Sequence, residues 1–174
     1  VNINQNNMKK KIVITGGLGY IGTELCKLYS GVSWHHDITV IDNRFISERV
    51  NQIRNWNIEF IQGDILDRDL IKKYCSHADV IHHLAGITNV PRTKNEAFSE
   101  LDSKIKEVGE KGTQNILDVV NDKCKIIFPS THVVYEGIDE VRTNIKEEEI
   151  TKPVLSYSTS KSINEDQLKK SGKN

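Results

Sequence analysis

Tyr157 and Lys161 stand four residues apart in the stretch YSTSK, a spacing that puts both side chains on one face of a helix. A tyrosine hydroxyl ordinarily has a pKa of about 10 and is a poor base at neutral pH. Because a nearby ammonium favours the phenolate, we expect Lys161 to lower the pKa of Tyr157. Tyr157 would then exchange a proton with an alcohol or a ketone while a hydride passes to or from a nicotinamide. The same spacing is common on solvated helix faces, so it is informative only beside a cofactor-binding motif.

The stretch TGGLGYIG, residues 15–22, holds four glycines that fit a dinucleotide-binding turn in two registers. One register is G-x-G-x-x-G from Gly17, and the other is G-x-x-G-x-x-G from Gly16. The turn lies between an apolar run and a helical one. In that setting the helix N–H groups bind a pyrophosphate and the glycines let the backbone approach it. A tight turn that binds no ligand uses similar residues. Other parts of the sequence must therefore indicate whether this turn binds a cofactor.

Asp42 ends the next apolar run, 20 residues after Gly22. A carboxylate at this place accepts hydrogen bonds from the adenosine ribose. It also repels a 2′-phosphate, so we expect NAD in preference to NADP. Because Arg44 lies two residues further on, NADP remains the alternative cofactor.

Short β-branched runs alternate along the chain with longer polar segments of helical period. Strands are predicted at 11–15, 38–42, 58–62, 79–84 and 125–130. Helices are predicted at 19–30, about 46–56, 67–76, about 94–121 and 156–170. This alternation predicts a three-layer α/β fold of Rossmann type, with a doubly wound parallel sheet. Residues 1–8 are predicted to be a disordered tail, and residues 9–174 one dinucleotide-binding domain.

Composition excludes several classes of partner. The 24 basic residues balance 24 acidic ones at a pI near 7.2, which predicts no attraction to nucleic acid or to an anionic membrane. Three separated cysteines and the absence of a long apolar run favour a reducing cytoplasm. The adjacent histidines, 35–36 and 82–83, would point to opposite faces of extended strands, so we expect structural histidines and no metal site.

These motifs resemble the extended short-chain dehydrogenase/reductase family, in particular its NAD-dependent epimerase/dehydratase group, which acts on nucleotide sugars. The family's T-G-x-x-G-x-x-G begins here at Thr15, so the register from Gly16 is expected to be the functional one and Gly17 a permissive extra. Further matches recur in order as GDILD at 63–67, HHLAG at 82–86 and STHVVY at 130–135.

The resemblance implies roles for the matching residues. Tyr157 would be the acid/base on a sugar hydroxyl at C4, Thr131 would hydrogen-bond the same oxygen, and Lys161 would hold the nicotinamide ribose. Asp64 and Ile65 would contact the adenine. The implied NAD-binding set is Gly16, Gly19, Tyr20, Ile21, Gly22, Asp42, Asn43, Asp64, Ile65, Leu84, Ala85, Gly86, Tyr157 and Lys161.

The sequence departs from the family pattern at several positions. His132 and Val133 stand where dehydratases carry an Asp–Glu pair, so we expect epimerisation or reduction and not dehydration. Glu136 interrupts the Y-G pair that usually follows the fifth strand. Gly109 stands where the family usually has an asparagine. We therefore expect the base of the active site to differ from that of the family.

The family continues beyond the Y-x-x-x-K helix with a smaller part that binds the nucleotide sugar, and this chain ends before it. We therefore expect a fragment whose sheet is incomplete at its C-terminal edge and whose full-length form is a homodimer. Two functions stay open, an epimerase or reductase of nucleotide sugars and a non-catalytic dinucleotide-binding module. The joint presence of Thr131, Tyr157 and Lys161 favours the enzyme.

Overall fold

The computed structural model describes residues 9–88, 100–138, 140 and 142–173. The predicted tail at 1–8 and the first part of the fourth predicted helix, 94–99, lie outside the described residues.

Five parallel strands form a single sheet in the order β3-β2-β1-β4-β5. The strands are β1 (Lys11–Thr15), β2 (Asp37–Asp42), β3 (Glu59–Gln62), β4 (Val80–His83) and β5 (Lys125–Ile127). The chain leaves β1 toward β2 on one side and later returns to place β4 on the other. This reversal opens a crevice at the carboxyl ends of β1 and β4, where open α/β sheets bind ligands. The predicted doubly wound parallel sheet is confirmed.

Helices cover both faces of the sheet because successive strand residues point to opposite sides. Ile12 and Ile14 of β1 pack with residues of α1 and α2 in one core cluster, and Val13 packs with residues of α3 and α4 in the other. A fifth helix, α5, packs against α4. The helices are α1 (Tyr20–Ser30), α2 (Ser47–Asn55), α3 (Arg68–Cys75), α4 (Glu100–Val119) and α5 (Ser156–Ser171).

The end of the last strand differs most from the sequence prediction. β5 ends at Ile127, not at residue 130, because Pro129 has no N–H to offer a strand ladder. An unpredicted 3-10 helix (His132–Tyr135) follows, and the Thr131 hydroxyl accepts a hydrogen bond from Val133 N at its start. Where they are described, the ends of the other elements lie within two residues of the predicted positions.

Two further properties of the described residues concern their helices and their thiols. None of their helices is both long and apolar enough to cross a bilayer. The three cysteines, Cys26, Cys75 and Cys124, are buried and free. Burial raises the pKa of the Cys26 and Cys75 thiols to about 12, which leaves them unreactive.

Candidate cofactor and catalytic site

The turn after β1 needs glycine for two separate reasons. Gly16 has φ +71°, a left-handed conformation that L side chains rarely adopt. A Cβ at Gly16 would also lie 2.7 Å from Ala85 Cα, so the backbones of the two crevice strands meet here without room for a side chain. A Cβ at Gly22 would lie 2.6 Å from Gly16 O, which shows how closely α1 crosses the turn.

Gly17 is not the permissive extra that the family pattern suggested. A Cβ at this position would lie 2.5 Å from Cγ1 of Val40, which is fully buried and stiff. The expectation is wrong because Gly17 faces β2, a contact that the local sequence does not reveal.

Helix α1 begins at the turn with its first N–H groups uncapped by a side chain. Gly19 is the N-cap residue, and no side chain of the described residues caps the helix there. Tyr20 and Ile21, the first helical residues, are exposed by 82% and 60%. An uncapped helix start beside a backbone cradle is suited to binding a phosphate group.

Asp42 at the end of β2 is buried and binds the glycine turn directly. Its Oδ2 accepts from Leu18 N at 3.0 Å, and its Oδ1 accepts from Arg44 N at 3.0 Å. The half-exposed Arg44 guanidinium pairs with the same carboxylate at 3.2 Å. The contact between Asp42 and a ribose therefore stays a prediction, and the structure adds that this carboxylate orients the turn and lies against an arginine.

The turn after β3 is organised by its own side chains. Asn43 Nδ2 donates to Asp64 Oδ2 at 3.1 Å, and Asp64 Oδ1 accepts from Leu66 N at 3.0 Å. Ile65 packs its side chain into the core, and its carbonyl accepts from Asn115 at 3.0 Å. The predicted adenine contacts of Asp64 and Ile65 stay predictions.

Leu84, Ala85 and Gly86 leave β4 at the crevice and are tied to β1. Leu84 N donates to Thr15 O at 3.1 Å, and Ala85 N donates to Thr15 Oγ1 at 3.3 Å. Among the described residues, no atom lies within 4 Å of the place where a Cβ on Gly86 would be. The stretch predicted to line the nicotinamide side therefore lies next to the glycine turn.

A buried histidine connects this edge of the sheet to α4. This connection was not predicted from the sequence. His83 Nδ1 lies 2.8 Å from Thr15 Oγ1, and its Nε2 lies 3.0 Å from Thr113 Oγ1. Each ring nitrogen of His83 therefore has a threonine hydroxyl as its partner, and such a hydroxyl can either donate or accept. Burial, assisted by the charge of Lys161, lowers the pKa of His83 to about 3, so the ring is neutral.

The structure brings Thr131 and Tyr157 together. Tyr157 lies in the first turn of α5, with its hydroxyl near the Thr131 side chain. Burial raises the pKa of Tyr157, and the Thr131 side chain partly opposes that rise. Thr131 accepts from Val133 N, so its hydroxyl proton is available to Tyr157.

Lys161 lies deeper in the same site. Its Nζ donates to Pro129 O at 3.0 Å and lies 4.2 Å from the centroid of the Phe128 ring. Burial lowers the pKa of Lys161 to about 8, although Glu165 opposes the shift. The expectation that Lys161 lowers the pKa of Tyr157 is therefore wrong, because the ammonium binds Pro129 and burial raises that pKa, with only Thr131 opposing the rise.

An aromatic contact joins the two halves of the site. The Phe128 ring beneath Lys161 lies 5.7 Å from the His83 ring, and His83 in turn contacts Thr15 beside the glycine turn. Thr131, Tyr157 and Lys161 therefore lie at the carboxyl edge of the sheet, the edge that also carries the glycine turn.

The departures from the family pattern have visible structural effects. Gly109 lets α5 approach α4, because a Cβ there would lie 2.0 Å from Ser160 Oγ. Asn164 Nδ2 donates to the Gly109 carbonyl at 3.0 Å across this contact. His132 and Val133 both lie in the 3-10 helix that follows Thr131.

Several known proteins that are similar to this chain are named for a nucleotide sugar. A UDP-N-acetyl-alpha-D-glucosaminuronate decarboxylase of Bacillus cytotoxicus is 33% identical over 130 residues, which are 74% of this chain and 38% of that protein. A CDP-paratose 2-epimerase of Salmonella typhi is 30% identical over 153 residues, 81% of this chain and 42% of that protein. The structure of a UDP-glucose 4-epimerase from Brucella ovis in complex with NAD superposes with a TM-score of 0.72 at 28% identity, over 91% of this chain and 46% of that chain.

The chain thus spans less than half the length of these relatives. They confirm the resemblance to the epimerase/dehydratase group. The model of the 3-beta hydroxysteroid dehydrogenase/isomerase family matches residues 13–174, and this chain therefore belongs to that family.

Proposed function

We propose that this chain binds NAD in the crevice between β1 and β4 and that the protein acts on a nucleotide sugar as an epimerase or reductase. The observation that carries the proposal is the glycine cradle. Gly16 has a left-handed φ, touches Ala85 backbone to backbone, and lies at an uncapped helix start. A pyrophosphate fits such a cradle because it needs close backbone approach and N–H donors.

The residues around the cradle fit the rest of a dinucleotide. Asp42 lies at the end of β2 where a ribose would be bound, and its charge disfavours a 2′-phosphate. Leu84 to Gly86 would line the nicotinamide half, and Asn43, Asp64 and Ile65 the adenine half. NAD, when bound, supplies a hydride acceptor for a carbon of the substrate.

Tyr157 is the proton-transfer group in this proposal. It takes the proton from a sugar hydroxyl, at C4 if the resemblance holds, and returns a proton to the ketone. The Thr131 side chain, which opposes the rise in the pKa of Tyr157 that burial causes, would stabilise the phenolate. Lys161, which donates to Pro129 O and lies over the Phe128 ring, would contact the nicotinamide ribose.

The substrate class rests on the three relatives named above, each of which is named for a nucleotide sugar. An epimerase or reductase is favoured over a dehydratase because His132 and Val133 replace the Asp–Glu pair of dehydratases. A cytoplasmic location accords with the three free, buried thiols. A homodimer is the expected form of the full-length protein.

Binding of NAD to this chain tests the first half of the proposal. We expect saturable binding by calorimetry, lost in Gly16→Ala and retained in Gly31→Ala, where a Cβ would have no described atom within 4 Å. Equal binding by both variants would contradict a cofactor site at the cradle.

Hydride transfer tests the second half. The chain is mixed with NAD and a panel of UDP-, CDP- and dTDP-sugars, and the absorbance of reduced nicotinamide and the sugar products are followed. Transfer that Tyr157→Phe abolishes supports the enzyme. NAD binding without any transfer that depends on Tyr157 would instead favour the non-catalytic dinucleotide-binding module.

A further inference from the structure

Helix α5, which carries Tyr157 in its first turn, begins without a cap of its own. Its N-cap residue is Leu155, whose side chain makes no hydrogen bond, and no acidic residue lies in the first turn. The start of a helix leaves N–H groups unpaired and carries a partial positive charge. A group from elsewhere must therefore hold this end if Tyr157 is to have one position.

Glu136 is that group. Its Oε1 accepts from Val154 N at 2.8 Å and from Leu155 N at 2.7 Å, and it also accepts from the hydroxyl of Ser158. Ser158 is fully buried, so water does not compete for this hydrogen bond. Burial raises the pKa of Glu136, but the three hydrogen bonds together lower the pKa below its ordinary value and favour the carboxylate.

Glu136 belongs to the segment that begins with Thr131. Its N–H donates to Val133 O at 3.0 Å in the 3-10 helix. The segment is tied to the chain before α5 by two backbone hydrogen bonds, from Gly137 N to Lys152 O at 2.9 Å and from Lys152 N to Val134 O at 3.0 Å. One carboxylate therefore connects the backbone that follows Thr131 to the residues on either side of Tyr157.

The inference rests on the proposed function, which gives Tyr157 its role in proton transfer. We propose that Glu136 is a positioning residue that holds the Tyr157 hydroxyl against Thr131 by capping α5 from across the chain. It does not touch the reacting atoms. The usual Y-G pair of the resembling family lacks the intervening Glu136 that forms this cap.

Nuclear magnetic resonance on the folded chain tests the proposal without a substrate. The Tyr157 ring signal is assigned by its loss in Tyr157→Phe, and its through-space contact with Thr131 is measured. In Glu136→Ala we expect loss of that contact and a roughly tenfold faster exchange of the Val154 and Leu155 amide protons, the usual effect of a lost cap.

Two variants serve as controls. Glu136→Gln keeps an oxygen acceptor and should retain the contact between Tyr157 and Thr131. Glu148→Ala removes an exposed carboxylate on the loop before α5 and should change neither the contact nor the exchange. If Glu136→Ala does not fold, Glu136→Asp replaces it, because its shorter side chain should likewise lose the contact.

A purely structural role predicts a different pattern. It would lower the denaturation midpoint of Glu136→Ala and Glu136→Gln alike and leave the contact of Tyr157 with Thr131 unchanged, and that result would overturn the proposal. Failure of the chain to bind NAD would contradict the proposed function but not this contact, so the two failures can be told apart.

Discussion

Asp42 has a structural task that the sequence analysis did not predict. It was predicted to select NAD by its charge, and the structure shows that it also accepts hydrogen bonds from Leu18 N and Arg44 N. Removing the whole side chain would therefore disturb the turn as well as the charge. Asparagine is the cleaner change because it keeps an oxygen acceptor.

We predict that Asp42→Asn narrows the preference for NAD over NADP by about tenfold, or about 1.4 kcal/mol. The repulsion of a 2′-phosphate disappears, and the Arg44 guanidinium loses its ion pair and becomes free to bind that phosphate. The dissociation constants of both cofactors measure the change. Asp37→Asn, at the amino end of the same strand, is the control, and an unchanged ratio in Asp42→Asn would refute the role of Asp42 in cofactor choice.

His83 should make stability depend on pH. Its pKa is about 3 in the folded chain, against about 6.5 when unfolded, so below pH 6.5 the unfolded state binds a proton that the folded state does not. The free energy of unfolding should then fall with decreasing pH between 6.5 and 3. This one group contributes up to about 1.4 kcal/mol per pH unit.

Replacing His83 should reduce that slope. Urea denaturation of His83→Gln at several pH values is compared with the parent chain and with His77→Gln, which removes an exposed imidazole. His82 shares the effect more weakly, because burial lowers its pKa too. Identical slopes for the parent and for His83→Gln would show that the buried ring is not the source.

At the scale of elements, the close packing of α4 and α5 is testable by a double substitution. Gly109→Ala places a Cβ 2.0 Å from Ser160 Oγ and 3.4 Å from Ser160 Cβ. We predict a loss of about 1–3 kcal/mol in the free energy of unfolding for Gly109→Ala, typical of an overpacked core. Adding Ser160→Ala removes the clashing oxygen and should restore most of the loss. An additive double variant would mean that the two helices do not meet at this point.

The elements themselves could be predicted because their signals are local. Alternating apolar runs and helical periods placed four strands and the described helix ends to within two residues. β5 was predicted too long because the apolar run continues to Phe128, while the proline after it ends the ladder. The glycine turn was recognisable for the same local reason.

Contacts between distant segments were not predictable. Gly17 looked permissive because nothing near it in sequence shows that Val40 lies above it. Glu136 looked like a defect in a family pattern, although it binds residues about 20 positions further along the chain. His83 matched a family stretch, but its partners Thr15 and Thr113 come from two other elements.

At the scale of the whole molecule, cofactor binding should stabilise the fold. The crevice is built from the ends of β1 and β4, so a ligand there is bound only when the sheet is assembled. At an NAD concentration of about 100 times the dissociation constant, we predict a gain of about 2.7 kcal/mol in the free energy of unfolding. Thermal denaturation with and without NAD measures it, and Gly16→Ala should show no gain. If NAD did not change the transition temperature of the parent chain, this result would contradict a binding site for NAD in the folded state.

The two adjacent histidines of β4 have a consequence for how the sheet can assemble. His82 faces the α1 side, where Nε2 lies 2.8 Å from the Tyr29 hydroxyl, and His83 faces the α4 side toward Thr113. A slip of β4 by one residue against β1 would turn each imidazole to the opposite layer, away from its hydroxyl partner and into apolar surroundings. Each buried ring left unpaired costs about 1–3 kcal/mol. Misaligned pairings of this central strand are therefore penalised on both faces at once, so the histidine pair discriminates against off-register sheets during folding.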